Sequence, residues 1–274
     1  GWRLGKSKYL IIEADDYKAK FLNYKPDILV LTNIEEEHMD FFKNFQHIEE
    51  IFKQYIKQVR GCVVGNRDNQ NVAKILKTHK NTIFYSLKNR PAVDLKKILR
   101  VPGEHNISNA LAALNVARIL GIKDEVSLKA LGEFKSIWRR FEESSLKIKN
   151  QKLKIISDYA HHPTEIQATF QALYEKYPNK KIFIIFQPHQ YQRTFYLFNN
   201  FVKTFQQAKA KFGIEKVIIT DIYSVAGRET QAIKKKTSSQ KLVKAINCKE
   251  VEYIEQSKLG DYIKRNIKEI NMLV

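Results

Sequence analysis

Asp158, Tyr159, His161 and His162 fall within one short stretch, Ser157–Glu165. An acid, a phenol and two imidazoles so concentrated make a candidate site, because such groups take up, release and share protons. The apolar run Leu153–Ile156 leads into the stretch, and Ile166, Phe170, Leu173, Tyr174 and Tyr177 follow it at helical spacing. Pro163 suits the first turn of that helix, where its missing N–H costs nothing. The pattern is strand, polar loop, helix. The loop then lies at the carboxyl end of a strand and the positive end of a helix, where open α/β sheets bind ligands and anions especially. An ordinary βα loop capped by an Asp accounts for the same residues.

Two further strands exit in the same way. Strand 182–186 runs into Gln187–Thr194, which carries His189 and Arg193, and strand 217–220 runs into Asp221–Glu229. Three consecutive strands thus deliver polar loops to one sheet edge. Arg193 can grip a carboxylate through two parallel hydrogen bonds. A helix start with surface charge also explains His189 and Arg193, but a cation there opposes the helix dipole, which favours a functional role.

Upstream, Tyr9–Ile12 reads as a short strand that exits into Glu13–Asp16, and Asp27–Leu31 as a second that exits into Thr32–Asp40. Glu13 and His38 at these exits form a candidate Mg²⁺ or Mn²⁺ site, with water at the remaining positions. The alternative is that Glu35–Glu37 are a solvated helix start, where acids complement the dipole. In Val101–Asn109, Pro102-Gly103 makes a turn. His105, Asn106 and Asn109 then open a helix with side chains that can cap it or read a ligand edge. Capping explains one of these residues, hardly three, and an Asn amide matches the donor–acceptor edge of adenine.

The elements that must hold these groups alternate. Helical spacing covers 48–56, 71–77 and 126–134, with strands at 62–64 and 82–85. After a polar stretch at 143–151, strands at 153–156, 182–186, 217–220 and 251–254 alternate with helices at 163–177, 194–208, 239–246 and 259–270. Residues 271–274 read as one more strand, cut short. This alternation implies mainly parallel sheets. No GxGxxG follows the first strand of the second half, so a nicotinamide or flavin cofactor is not supported.

The 274 residues allow one large or two ordinary domains. No apolar run approaches a membrane span, and the start has no apolar signal-peptide core. Cys62 and Cys248 alone imply no disulfide framework, so a reducing cytoplasm is the default. Net charge is +19, yet the lysines are dispersed and no nucleic-acid motif is present. A positive field that steers small phosphorylated molecules fits better than nucleic acid. Lys234–Lys236, the main basic run, reads as a solvated loop.

Taken in order, these residues resemble the Mur ligases of peptidoglycan synthesis. The matching segments are Glu13-Ala14-Asp15; Thr32-Asn33-Ile34 with His38-Met39-Asp40; and Pro102-Gly103 with His105-Asn106 and Asn109-Ala110. They continue with Arg139-Arg140-Phe141-Glu142, Asp158-Tyr159 with His161–Glu165, and Phe186–His189 with Tyr191 and Arg193-Thr194. They follow the family's order over nearly the whole chain, and the last two are the more specific to its alanine-adding branch.

The resemblance implies an α/β fold in which residues 1–142 are the remainder of a parallel-sheet central ATPase domain and residues 143–274 a shortened, Rossmann-like C-terminal domain. It implies an ATP- and Mg²⁺-dependent, cytoplasmic amide ligase, with no membrane insertion and no oligomeric state specified. The ligase would join L-alanine to UDP-N-acetylmuramate through an acyl phosphate. By position, Glu13 and His38 resemble Mg²⁺ ligands, His105, Asn106 and Asn109 adenine-side contacts, Arg140 the phosphate arginine and Asp158 the ribose acceptor. Tyr159, His161, His189 and Arg193 resemble residues that meet the muramyl and alanine carboxylates, the last three as the catalytic set. Other Mur ligases, a recycling ligase that attaches whole peptides, and a noncatalytic nucleotide- or nucleic-acid-binding module without its P-loop are the alternatives.

The chain departs from the family pattern in several places. It has no G-x-x-G-K-[ST] loop, no uridine-binding domain and no glycine-rich exit after residue 274. Few residues separate Tyr85 from Pro102, Gln190 stands where an Arg is usual, and Ile137-Trp138 replace a small turn. The expectation is an excerpt of a ligase that does not turn over ATP by itself.

Overall fold

The computed structural model describes residues 4–148, 151–226 and 229–274. Its first sheet is built from three apolar runs, β1 (Ile28–Leu31), β2 (Cys62–Asn66) and β3 (Thr82–Tyr85), all parallel in the order β1-β2-β3. Parallel neighbours need a crossover, supplied by α1 (Phe45–Lys57) and α2 (Gln70–Leu76). Each starts at an Asn whose side chain accepts a backbone N–H, Asn44 from His47 and Asn69 from Val72. The α1 stripe Ile48, Tyr55 and Ile56 is buried with Phe21, Leu29 and Val63, each such side chain contributing about 1.5–3 kcal/mol. Beyond β3 come α3 (Arg90–Ile98), α4 (Glu104–Ile119) and α5 (Asp124–Glu133), which pack on one another.

The second sheet has six strands: β4 (Glu142–Ile148), β5 (Gln151–Ser157), β6 (Ile182–Phe186), β7 (Lys216–Ile219), β8 (Val251–Tyr253) and β9 (Met272–Leu273). Their order is β4-β5-β9-β6-β7-β8, with only β4 antiparallel. The final strand therefore inserts between β5 and β6. The helices are α6 (Pro163–Lys176), α7 (Tyr191–Tyr196), α8 (Phe198–Gln206), α9 (Ala208–Phe212), α10 (Gln231–Lys236), α11 (Ser239–Ile246) and α12 (Leu259–Asn266). Phe170, Phe186, Phe201 and Phe205 centre the core between sheet and helices.

Several sequence expectations are corrected. Residues 9–12 form no strand: they pair with none, and Leu10 and Ile11 are 83% and 92% exposed. A strand without a hydrogen-bonded neighbour gains nothing from extension. The polar stretch 143–151, read without an element of its own, carries strand through residue 148, and Lys149 and Asn150 lie outside the described residues. Its charges sit on β4, an edge strand with one open side, where polar residues are tolerated. The expected helix 194–208 breaks at Leu197, because α7 packs against α10 whereas α8 turns toward α6 and α11. Lys234–Lys236 end helix α10 rather than a loop, capped by Thr230. Helix α3 went unexpected, although Ala92 and Leu95 are both buried. Gly227 and Arg228 of the 221–229 exit lie outside the described residues.

Residues from the elements of both sheets line one cleft. Gly103 has φ +96°, a region that disfavours side chains, and an added Cβ would meet Ala172 of α6 at 3.1 Å and the His105 ring at 2.6 Å. The start of α4 approaches the second sheet's helices that closely only with glycine there.

Candidate functional site

The loop after β5 is shaped by its own acid. Asp158 accepts the Ala160 N–H at 2.8 Å and the Phe141 N–H at 2.9 Å, which ties the arginine segment 139–141 to the loop. Arg139 lies over the Tyr159 ring at 4.9 Å, and Arg140 stands 3.8 Å from Glu165. Glu165 accepts the N–H groups of His161 and His162, closing the capping box of α6. Burial raises the Glu165 carboxyl, but the neighbouring His161 ring, these two N–H groups and Arg140 outweigh it and hold it below its ordinary value.

The exits of β6 and β7 join through a bridge between His189 and Tyr223, whose rings stack at 5.3 Å and 14°. The Tyr159, His161 and His189 rings stand 5.1–6.0 Å apart in a cluster. They line a cavity of about 390 Å³ with Asp158 and Tyr223. The three exits expected to share an edge do so. Gln190 is buried at φ +76°, its carbonyl accepting the Thr194 hydroxyl.

Arg193 is placed differently from expectation. Its Nε donates to both oxygens of Glu37 at 2.9 and 3.1 Å, and its Nη2 stands 2.9 Å from Glu37 Oε1. Its Nη1 donates to the His189 carbonyl at 2.9 Å and meets His189 Nδ1 at 3.1 Å. The fork expected for a substrate carboxylate is filled from the opposite lobe. Burial raises the Glu37 carboxyl, but the hydrogen bonds and charge of Arg193, with His38, hold it low.

Glu35 joins the same seam. It accepts the Thr164 hydroxyl at 2.6 Å and stands 3.3 Å from His162 Nδ1, while His162 Nε2 meets the Glu36 carbonyl at 3.2 Å. Glu35–Glu37 are therefore not a solvated helix start; α1 begins only at Phe45. Sequence reasoning missed Glu35 and Glu37 as functional candidates. Their signal was three consecutive acids at a strand exit opposite His- and Arg-bearing exits.

Glu13, His38, His105, Asn106, Asn109, Arg140, Asp158, His161 and Arg193 all line a second, larger cleft of about 980 Å³ between the lobes. His105 is half-buried, which lowers its pKa, and its Nε2 meets the Asn106 amide at 3.1 Å. Asn106 also donates to the Pro102 carbonyl at 2.6 Å. His38, at φ +55°, stands 3.2 Å from Asp16 and 3.8 Å from Glu37. Among the described residues no three metal-ligating side chains form a cage. The acids of this wall fit a divalent ion held by one or two protein ligands and otherwise by water and phosphate, as Mg²⁺ is.

A family model described as the Mur ligase middle domain matches residues 3–99, and one described as Mur ligase, glutamate ligase domain, matches residues 139–271. UDP-N-acetylmuramate–L-alanine ligase of Caldanaerobacter subterraneus subsp. tengcongensis is 35% identical over 301 aligned residues, covering 99% of this chain and 62% of that protein. The Aquifex aeolicus protein of the same name is 37% identical over 246 residues, covering 81% and 52%. The chain thus spans 52–62% of the length of these two curated relatives. Among solved structures, UDP-N-acetylmuramate-alanine ligase of Thermotoga maritima aligns with a TM-score of 0.61 at 22% identity, covering 93% of this chain and 56% of that one. The Thermotoga maritima MurF ligase in complex with ADP aligns with a TM-score of 0.64 at 16% identity, covering 93% and 59%. At those identities the likeness speaks for the fold.

Proposed function

The chain belongs to the Mur ligase family, and from that premise we propose that it carries the adenine-side and amino-acid-side walls of an ATP-dependent ligase joining L-alanine to UDP-N-acetylmuramate. The observation that carries this reading is the single cleft of about 980 Å³ onto which both lobes deliver their polar groups. The family division near residue 142 is part of the proposal: the first lobe offers nucleotide contacts, the second substrate contacts.

ATP would supply the phosphoryl group that activates the muramyl carboxylate, and Mg²⁺ would neutralise its charge. On the first wall, His105, Asn106 and Asn109 offer amide and imidazole edges to adenine, and Glu13 and His38 offer metal ligands. Between the walls, Arg140 supplies positive charge for phosphate and Asp158 an acceptor for ribose hydroxyls. In the adjoining cavity of about 390 Å³, which shares His161 and Asp158 with the cleft, the Tyr159, His161 and His189 cluster faces the substrates. Arg193 is 7% exposed and held by Glu37, so it meets a substrate carboxylate only if Glu37 yields; as placed, it clamps the lobes together.

The phosphate-gripping G-x-x-G-K-[ST] pattern does not occur in these 274 residues. The 274 residues alone are therefore expected to release no phosphate from ATP, and substrate-dependent release would contradict that. The protein as encoded at its locus is expected to form the amide with L-alanine. A panel offering L-alanine, other amino acids and a tripeptide checks the substrate, and preference for the tripeptide would move the assignment to a recycling ligase.

A further inference from the structure

The two imidazoles of the second wall hold opposite tautomers, and their partners dictate which. A carbonyl oxygen only accepts, so the 2.9 Å contact between His161 Nδ1 and the Tyr159 carbonyl requires the proton on Nδ1. Glu165 Oε2, at 3.6 Å from the same nitrogen, favours the same placement. In the neutral ring Nε2 then carries the lone pair. An arginine only donates, so the 3.1 Å contact between Arg193 Nη1 and His189 Nδ1 requires His189 Nδ1 to accept. His189 then holds its proton on Nε2. The rings stand 5.9 Å apart and line the same cavity. One presents a basic nitrogen and its neighbour an N–H.

Resting on the ligase reading, we propose that His161 Nε2 is the general base that takes the proton from the incoming ammonium group, while His189 Nε2–H orients the reacting acid. The ammonium gives one proton to His161 and becomes a neutral amine. Its lone pair attacks the carbonyl carbon of the acyl phosphate and forms the C–N bond. The C–O bond to phosphate breaks, the phosphate leaves with that electron pair, and it takes the second amine proton. His161 returns its proton to solvent.

The surroundings keep His161 neutral. Burial lowers its pKa, Glu165 from α6 raises it, Arg193 from α7 lowers it, and Glu37 from the loop after β1 raises it, with a net lowering. The Tyr159 and His189 rings complete the shell. A neutral imidazole with Nδ1 anchored is the form a base requires.

The test separates proton removal from carboxylate activation. Hydroxylamine is already neutral at pH 7 and captures an acyl phosphate without a base. In the protein as encoded, H161Q is expected to lower the ratio of L-alanine ligation to hydroxamate formation about 10²–10⁴-fold, the usual worth of a general base. Equal loss of both products, or loss of neither, would overturn the assignment. Absence of both products from the wild-type protein would instead sink the ligase reading, and the base with it. Nitrogen-15 NMR of the wild-type chain adds a readout independent of turnover and of whether H161Q folds. His161 is expected protonated on Nδ1 and His189 on Nε2; a His161 ring protonated on Nε2 would refute the proposal by itself.

Discussion

Arg193 accepts no hydrogen bond and keeps its proton, so its near-complete burial obliges the fold to surround it with acceptors. Glu37 and the His189 carbonyl and ring meet that need across a separation of 156 residues to Glu37. Substituting Glu37→Gln leaves one acceptor oxygen in place of a charged fork. The expected loss is about 1.5–3 kcal/mol, the worth of hydrogen bonds to charged groups, measured by urea unfolding. A loss below about 0.5 kcal/mol, the size of an ordinary surface change, would mean that the pair is not formed in solution. The acid limb checks the same contact. Glu37 is held below its ordinary 4.5, so its contribution is complete above that value and disappears as pH falls through the lowered one. E37Q should be less sensitive to acid over that range than the wild type.

At the scale of elements, the start of α6 does two tasks at once. His162 and Glu165 close its capping box, and the same two residues meet Glu35 and Arg140. Glu165→Ala is expected to cost about 1 kcal/mol, as the loss of a cap does. It should also release the His161 N–H and loosen the loop that holds the imidazole. Hydrogen exchange at the His161 and His162 amides measures this: faster exchange there, with the β5 amides unchanged, is the expected pattern. Uniformly faster exchange would point to global destabilisation instead. The parallel order β5-β9-β6-β7 explains why the three loops share an edge, since parallel strands all end on the same side.

For the molecule as a whole, the imidazoles of the two lobes link stability to pH. Burial lowers the pKa of both His105 on the first wall and His161 on the second. Between the lowered values and the ordinary 6.5 the unfolded chain binds more protons than the folded one, so stability falls as pH drops through that window. Unfolding free energies at pH 7.5 and 5.5 should therefore differ in the wild type and differ less in His105→Gln. An unchanged difference would remove His105 from the linkage. Glu37, held low by Arg193, keeps its charge across the same window, so acid acts on the half-buried imidazoles before it breaks the Glu37–Arg193 contact.

The amino-acid sequence by itself determined most of the alternating strands and helices and the three polar exits at one edge. These follow from local periodicity and from the rule that parallel strands end together. It also carried the ordered motifs from Glu13 to Arg193. Helix α3 was legible too, through Pro91 in its first turn and the spacing of Ala92, Leu95 and Leu99, but the brevity of that segment obscured it. Only the tertiary structure decided that residues 9–12 stay unpaired, that the polar stretch after Glu142 is an edge strand, and that Glu37 fills Arg193. It alone set the two imidazoles to opposite tautomers. Each of these depends on a partner distant in sequence, and a hydrogen bond's donor and acceptor are chosen by which groups the fold brings within about 3 Å, not by their order along the chain.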